Sequence, residues 1–393
     1  MLPLCRTLAA ILLIAGNGVA GIQEDLSAAY VHFYNLEYAQ AIALFQKAAA
    51  EAPASATAQN GIAQAVLYRE MLRNGALDSE MVDGNNSFLR HPKMDVSPEH
   101  QKEFITAINR ALELSQEELS RNPQDMESLH ARAVSFALRS NWNFLVHKAW
   151  RDSLNDATAS RKLEDRILAI NPNDPDAPLG RGVHEYIIGG LPWAWRTLGL
   201  LAGFRGDKAK GLAMIEQVAR SGKRNKTDAE FLLCAFYRRD RMPEKALVVL
   251  SDLAQRYRRN YILRFEQAKI YGDLGEGKKA LAVIADIQAL KEEKAPGLVD
   301  VPWWKIYYER ATLQFWYNLP REAMVNFNRV VTSSDDPSVS TRVLSYMRIG
   351  QILDTLNERK QAVESYRKAI SFAPSAEAAQ ESRRYLSSPY RRS

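Results

Sequence analysis

The sequence predicts an all-α protein built from repeated pairs of helices. Glycine and proline together make up 36 of the 393 residues, fewer than a turn-rich β protein needs. Hydrophobic residues account for 46% and charged residues for 25%, a composition that excludes a disordered chain and a polytopic membrane protein. Apolar and small residues also recur with a period of 34, which is typical of stacked helix pairs.

Apolar residues three and four positions apart predict helices along nearly the whole chain. The longest interruption is 74–100, which contains an Asp-Gly-Asn-Asn-Ser stretch and two prolines and is predicted to be a loop. The predicted helices cover residues 22–36, 38–52, 55–73, 97–121, 125–139, 151–170, 174–188, 192–221 with a break, 226–239, 243–257, 260–274, 277–291, 301–317, 320–333, 337–356, 359–372 and 375–386.

Residues 1–20 have the pattern of a secretory signal peptide. Arg6 precedes an apolar run of about ten residues, and Gly18 and Ala20 are small residues at the positions that a signal peptidase inspects. The alternatives are an uncleaved membrane anchor and a buried first helix. Cleavage after Ala20 leaves Cys234 as the only cysteine, so the mature chain forms no intrachain disulfide. We therefore predict a periplasmic or secreted protein.

The helix-pair pattern is most complete near the C-terminus. Gly350 and Ala362 are small at the two positions where paired helices would cross closely, and Pro374 ends the second helix. The complete pattern reads Tyr346-x2-Ile349-Gly350-x2-Leu353 and then Ala362-x3-Tyr366-x2-Ala369-x4-Pro374.

The same pattern recurs further upstream, which indicates an internal repeat. Ala41, Phe45, Ala48 and Pro53 have the spacing of Ala362, Tyr366, Ala369 and Pro374. Three pairs of residues measure the period directly, because the members of each pair are 34 residues apart: Tyr237 and Tyr271, Ala246 and Ala280, and Leu250 and Ile284.

These motifs resemble the tetratricopeptide repeat, a 34-residue pair of helices. The resemblance covers most of residues 22–386, and it is strongest at the two ends of that range. It implies a right-handed superhelical solenoid of antiparallel helix pairs. It also implies that the first helix of each repeat lines a concave groove that binds an extended or helical partner, and that the repeat itself is not catalytic.

Alignment with the repeat signature assigns nine residues to positions that face the groove. Their aromatic and basic character suits a protein or peptide partner with apolar anchors and acidic flanks. An alternative is that the aromatic rings fill the inside of a tightly wound superhelix. The nine residues are Phe231, Arg238, Phe265, Lys269, Tyr308, Thr312, Phe315, Arg348 and Gln351.

The middle of the chain departs from plain repeats. Residues 186–204 are apolar except for Arg196, and a Gly-Asp pair follows them at Gly206. This run weakly resembles the middle of the tetratricopeptide-39 type family, and no functional residue is carried over from it. We predict that 187–222 forms apolar linking helices buried in the solenoid. The alternative is a membrane-surface segment, which would make the protein a membrane-associated adaptor.

These features predict four parts of the chain. They are a signal peptide over 1–20, N-terminal repeats over 21–186 with the loop at 74–100, the linking helices over 187–222, and a C-terminal repeat array with a basic tail over 223–393. Residues 205–264 carry fifteen Lys and Arg against seven Asp and Glu, which is either a solvated helix face or a surface for an acidic partner.

The sequence offers little chemistry for catalysis. The segment 272–279 approaches a phosphate-binding loop, but Lys279 stands where that loop needs Ser or Thr. Cys234 lies in an apolar helix, where an inert thiol is expected. We predict no cofactor, no metal site and no nucleic-acid partner, and no prediction is made about the oligomeric state. The function predicted is an exported protein-binding scaffold, with the membrane adaptor and an enzyme as alternatives.

Overall fold

The computed structural model describes residues 21–77, 93–191 and 206–392. Within these ranges the chain is all-α: it forms α-helices and one π-helical turn, and no β-strand. None of the described helices is long and apolar enough to cross a membrane. The predicted signal peptide and most of the apolar segment 187–204 lie outside the described residues, so both assignments stay predictions.

The helices follow one another as antiparallel pairs, the arrangement predicted for a solenoid of repeats. The chain divides into two compact units, unit 1 up to Tyr257 and unit 2 from Arg258. Unit 1 contains α1 (21–34), α2 (Tyr38–Glu51), α3 (Ala56–Arg73), α4 (Pro98–Arg121), α5 (Met126–Trp142), α6 (Trp150–Ile170), α7 (Pro178–Gly189), α8 (Lys208–Ser221), α9 (Lys226–Arg239) and α10 (Pro243–Arg256). Unit 2 contains α11 (Tyr261–Asp273), α12 (Gly277–Glu292), α13 (Trp303–Trp316), α14 (Pro320–Val331), α15 (Val339–Thr355), α16 (Arg359–Phe372) and α17 (Glu377–Ser387).

Side-chain caps explain where several of these helices begin. Ser97 accepts a hydrogen bond from the backbone N–H of His100, and Pro98 occupies the first turn, where its missing N–H costs nothing. Residues 78–92 of the loop predicted over 74–100 lie outside the described residues, and α4 begins at Pro98, inside the predicted range. Asp125, Asn260 and Ser338 cap their helices in the same way.

The end of α5 differs from the prediction. The sequence predicts a helix that ends at residue 139, but α5 continues to Trp142 and into a π-helical turn over Asn143–His147. The reason is that apolar burial continues here: the Trp142 ring stacks on Phe104 with a centroid distance of 3.9 Å, and the three residues after Asn143 are buried. A polar cavity of about 360 Å³ adjoins the turn, lined by Arg139, Asn143, Asp152, Asn155 and Asp156.

A glycine under an aromatic ring marks the crossing of the two helices in a repeat. A Cβ atom on Gly350 of α15 would lie 2.5 Å from the ring of Tyr366 in α16. Gly61 of α3 has the same relation to Phe45 of α2, at 2.4 Å. Ala362 is fully buried at the same crossing in unit 2. The predicted close crossing at Gly350 and Ala362 is thus confirmed.

Replacing Gly350 by alanine is expected to destabilise unit 2. Alanine favours a helix by about 1 kcal/mol over glycine, but overpacking a buried ring costs roughly 1–3 kcal/mol. The ring of Tyr366 cannot move aside freely, because it is buried and its hydroxyl donates to Asp354 at 2.9 Å. Denaturant unfolding should therefore show a lower midpoint for Gly350→Ala. The matched control is Gly272→Ala, where the nearest atom is a flexible Leu313 methyl at 3.1 Å, and its midpoint should be equal or higher.

Candidate functional site

The first helices of the repeats carry all nine residues that the sequence assigned to the groove. Phe231 and Arg238 lie on α9 in unit 1, and the other seven lie on α11, α13 and α15 in unit 2. Six of the nine are half-buried, and three are buried: Phe265, Phe315 and Gln351. Their partner-binding role stays a prediction.

In unit 1 one of the predicted groove residues, Phe231, packs against other parts of the same unit. The ring of Phe231 stacks on Tyr34 of α1, with centroids 5.6 Å apart and an angle of 13° between the planes. Tyr257 packs against the same Tyr34 ring at 5.1 Å. Phe231 therefore fills space between α1 and α9, which is the packing role that the sequence left open as an alternative. Arg238 lies half-buried in the last turn of α9.

A half-buried carboxyl accompanies this aromatic cluster. Asp228 Oδ1 accepts a hydrogen bond from the Tyr34 hydroxyl at 2.9 Å. Burial raises the pKa of Asp228 to about 6, and the bond from Tyr34 opposes part of that shift. Burial and the nearby Asp228 charge hold the pKa of Tyr34 well above its usual value. The pair therefore favours a neutral carboxyl at mildly acid pH.

In unit 2 the predicted residues form a connected row across three helices. Lys269 of α11 reaches Glu309 of α13 at 3.1 Å and also Glu266 on its own helix at 3.4 Å. Tyr308, the residue before Glu309, is hydrogen-bonded to Thr312 one turn further along α13, and burial raises the pKa of Tyr308 to about 12. The row therefore links α11 to α13 through an ion pair and continues along α13 with the half-buried hydroxyls of Tyr308 and Thr312.

Arg348 of α15 completes the row. Its guanidinium lies 4.7 Å from the ring centre of Phe315 and 5.2 Å from that of Trp316. Its Nη1 donates to Gln351 Oε1 at 2.8 Å. Within the described part of unit 2, the contacts of Arg348 are thus aromatic rings and a neutral amide. Phe265, the remaining predicted residue, is buried with the Lys305 ammonium 5.7 Å from its ring centre.

Sequence reasoning missed the residues that surround this row. Trp316 is 57% exposed at the end of α13, and Asp354 is buried near the end of α15. Tyr390 and Arg392 contact these helix ends from the C-terminal segment. The only signal in the sequence was the basic tail, which does not reveal where the tail lies.

The described residues contain no group of three His, Cys, Asp or Glu side chains placed to hold a metal ion. Cys234 is buried in α9, as predicted for an inert thiol.

The helix pairs define the class as a helical-repeat protein. The family model of the tetratricopeptide repeat matches residues 343–375, which span most of α15, all of α16 and the following turn. Residues 343–375 thus match one tetratricopeptide repeat, as the motifs in this part of the chain predicted, and a fold built from such repeats is typical of a protein-interaction scaffold. The search of curated proteins gave no match.

Solved structures similar to this chain are distant in sequence. A tetratricopeptide repeat protein from Parabacteroides merdae is 14% identical, with 77% of this chain and 99% of that chain covered and a TM-score of 0.39. Yeast Tom70 is 14% identical, with 93% and 87% covered and a TM-score of 0.40. Human IFIT1, solved as a dimer with m7Gppp-AAAA, is 17% identical, with 93% and 80% covered and a TM-score of 0.42. No functional residue is transferred from any of them.

Proposed function

We propose that the protein is an exported scaffold that holds a peptide or protein partner on the first-helix face of unit 2. The observation that supports it best is the row from Lys269 to Arg348, in which half-buried cations and hydroxyls stand beside aromatic rings. Aromatic and arginine side chains are the usual anchors of protein interfaces. The row holds no nucleophile with a base and an orienting group, so it suits binding rather than catalysis.

The partner proposed for this face carries an acidic flank. Lys269 is already matched by two carboxylates, whereas Arg348 is held by aromatic rings and an amide. A guanidinium on aromatic faces keeps its donors in a fixed fork, which suits a carboxylate of the partner. We therefore assign the acid-binding role to Arg348 and a structural linking role to Lys269.

Neutralising Arg348 is expected to weaken partner capture by on the order of tenfold, the loss of about one charged hydrogen-bonded contact. The chain from residue 21 would be immobilised as wild type, as Arg348→Gln, and as Lys360→Gln, which removes an exposed charge from α16. Envelope extract of the native host supplies the partner. Quantitative mass spectrometry compares how much of the partner each immobilised chain recovers. Equal recovery on Arg348→Gln and wild type would show that this face does not bind the partner.

Export is the second part of the proposal, and it depends on the signal pattern in residues 1–20. N-terminal sequencing of the protein purified from its native host should begin at Gly21. A chain that begins at Met1 and stays with the membrane fraction would show an uncleaved anchor instead.

A further inference from the structure

The last residues of the chain fold back across unit 2. Residues 388–392, which we call the C-terminal strap, run from the end of α17 past the ends of α15 and α13. The backbone N–H of Tyr390 donates to Asp354 Oδ2 at 2.8 Å. The Tyr390 ring lies 5.6 Å from Tyr385 and 6.3 Å from Phe315, measured between centroids. An extended segment thus places one aromatic ring between residues of two helices.

Arg392 makes the second attachment of the C-terminal strap. Its Nη1 donates to the carbonyl oxygen of Phe315 at 2.8 Å and to Asn318 Oδ1 at 3.2 Å, and its Nη2 donates to the carbonyl oxygen of Trp316 at 2.5 Å. These carbonyls lie in the last turn of α13, where the helix dipole is negative, and the Phe315 carbonyl also accepts from the backbone N–H of Asn318 at 3.2 Å. The end of α13 is thus a cation-accepting site, and a guanidinium of the strap occupies it.

The strap has the features of a bound peptide rather than of a repeat helix. It has no helical structure, and every residue in it except Tyr390 is exposed. Arg391 is exposed and takes no part in these contacts. A segment held by a few bonds and one ring opens at a low free energy compared with the packed helices.

The C-terminal strap also meets the predicted groove. It covers Phe315, whose ring carries the Arg348 guanidinium, and it ends beside the exposed Trp316. Asp354, which holds the strap, lies three residues beyond Gln351 on α15. The strap therefore lies where a partner on the first-helix face would pass.

We propose that the ends of α13 and α15 form a docking site for an extended partner segment in which an aromatic residue is followed two positions later by arginine. The C-terminal strap occupies this site in cis and is displaced when the partner binds. The aromatic residue packs against Phe315 and Tyr385, and the arginine bonds the terminal carbonyls of α13. This inference rests on the proposed scaffold function and names the chemistry of the partner at one end of the face.

The test uses the strap sequence itself as the probe. A fluorescein-labelled Ser-Ser-Pro-Tyr-Arg-Arg-Ser peptide would be titrated into the chain from residue 21 that ends at Ser387, and into the same chain extended to Ser393. Anisotropy should show saturable binding to the shortened chain, and binding at least tenfold weaker to the longer one, because a tethered strap competes at millimolar effective concentration. A second variant, Tyr390→Gly with Arg392→Ala in the longer chain, frees the site without removing residues and should also bind the peptide.

Three peptide variants separate specific docking from charge attraction. Alanine at the position of Tyr390 or of Arg392 should weaken binding about tenfold, whereas alanine at the position of Arg391 should leave it within twofold. The proposal is overturned if alanine at the position of Arg391 weakens binding as much as alanine at the position of Arg392. It is also overturned if the peptide binds neither the shortened chain nor the double variant while circular dichroism shows native helix content. A concentration-dependent dimer that is lost on shortening would identify the strap of a second copy as the occupant and also overturn it.

Failure of the docking-site proposal can be distinguished from failure of the scaffold proposal, because the two tests use different probes. Partner capture through Arg348 is measured with native extract and does not involve the strap peptide. A strap peptide that fails to bind therefore refutes the docking site alone, whereas failed capture with a binding peptide refutes the scaffold assignment alone.

Discussion

Replacing Asp354 by alanine is expected to lower the free energy of unfolding of unit 2 by about 3 kcal/mol, the low end of the cost of removing one partner from a buried ion pair, because the Arg359 side chain is one-third exposed. The Asp354 side chain is fully buried and bonds Arg359 Nη1 at 3.0 and 3.1 Å. It also accepts from the Tyr366 hydroxyl at 2.9 Å and from the Tyr390 N–H at 2.8 Å. Alanine leaves three donors without their acceptor, and Tyr366 is fully buried.

Denaturant unfolding of the whole chain, with hydrogen exchange of residues 339–372 as the local readout, measures this loss. Two milder variants separate the contributions of the charge and of the Tyr366 hydrogen bond to this loss of stability. Asp354→Asn keeps one acceptor oxygen and removes the charge, so it should cost less than alanine. Tyr366→Phe removes one hydroxyl and should cost about 1 kcal/mol. If the free energy of unfolding of Asp354→Ala is within about 0.5 kcal/mol of the wild-type value, the hydrogen bonds assigned to this carboxylate are wrong, because a change that small is typical of surface substitutions.

The repeated helix pair was predictable because its determinants are local. Apolar residues at helical spacing locate α15 and α16, and the small Gly350 and Ala362 locate their crossing. Each of these signals lies within one 34-residue period, so a single sequence is enough to read it. The capping residues Ser97 and Asp125 likewise act within three residues of the helix start.

Contacts between distant parts of the chain were not predictable. The Tyr34 hydroxyl meets Asp228 across 194 residues, and no local pattern encodes that pairing. The C-terminal strap is a second case, because a short basic tail has the same composition whether it is solvated or bound. The meeting of α1 with α9 depends on how each repeat stacks on the next, a property of all the intervening interfaces.

The candidate site was predictable in position but not in burial. Alignment with the repeat signature placed the nine residues on the first helices of the repeats, and all nine lie there in the structure. The repeat signature gives no information on the distance between the first helices of neighbouring repeats. Gln351 is fully buried although it is polar, and its Oε1 accepts a hydrogen bond from Arg348. Phe231 is stacked against α1, which its own repeat does not reveal.

Replacing Asp228 by asparagine is expected to stabilise unit 1 above pH 6 by up to about 3 kcal/mol. The pKa of Asp228 is raised from 3.8 to about 6 in the folded chain, mainly because burial disfavours the charged carboxylate. Between these two pKa values the unfolded chain binds fewer protons than the folded chain, so wild-type stability falls as the pH rises through this window. Above it the full penalty applies, and a shift of about two units corresponds to roughly 3 kcal/mol.

Asparagine removes this penalty and keeps the acceptor for Tyr34, which donates at 2.9 Å. Denaturant unfolding of both chains at pH 8 and pH 4.5 measures the difference, which should shrink to about 1 kcal/mol at the lower pH because wild-type Asp228 is then largely protonated. Glu51→Gln is the control: this side chain is exposed at the end of α2, and its substitution should change stability by less than about 0.5 kcal/mol at both pH values. A constant advantage of Asp228→Asn at both pH values would show that the carboxyl is not neutralised on folding, and a loss at pH 8 would show that the charged Asp228 stabilises the contact between α1 and α9.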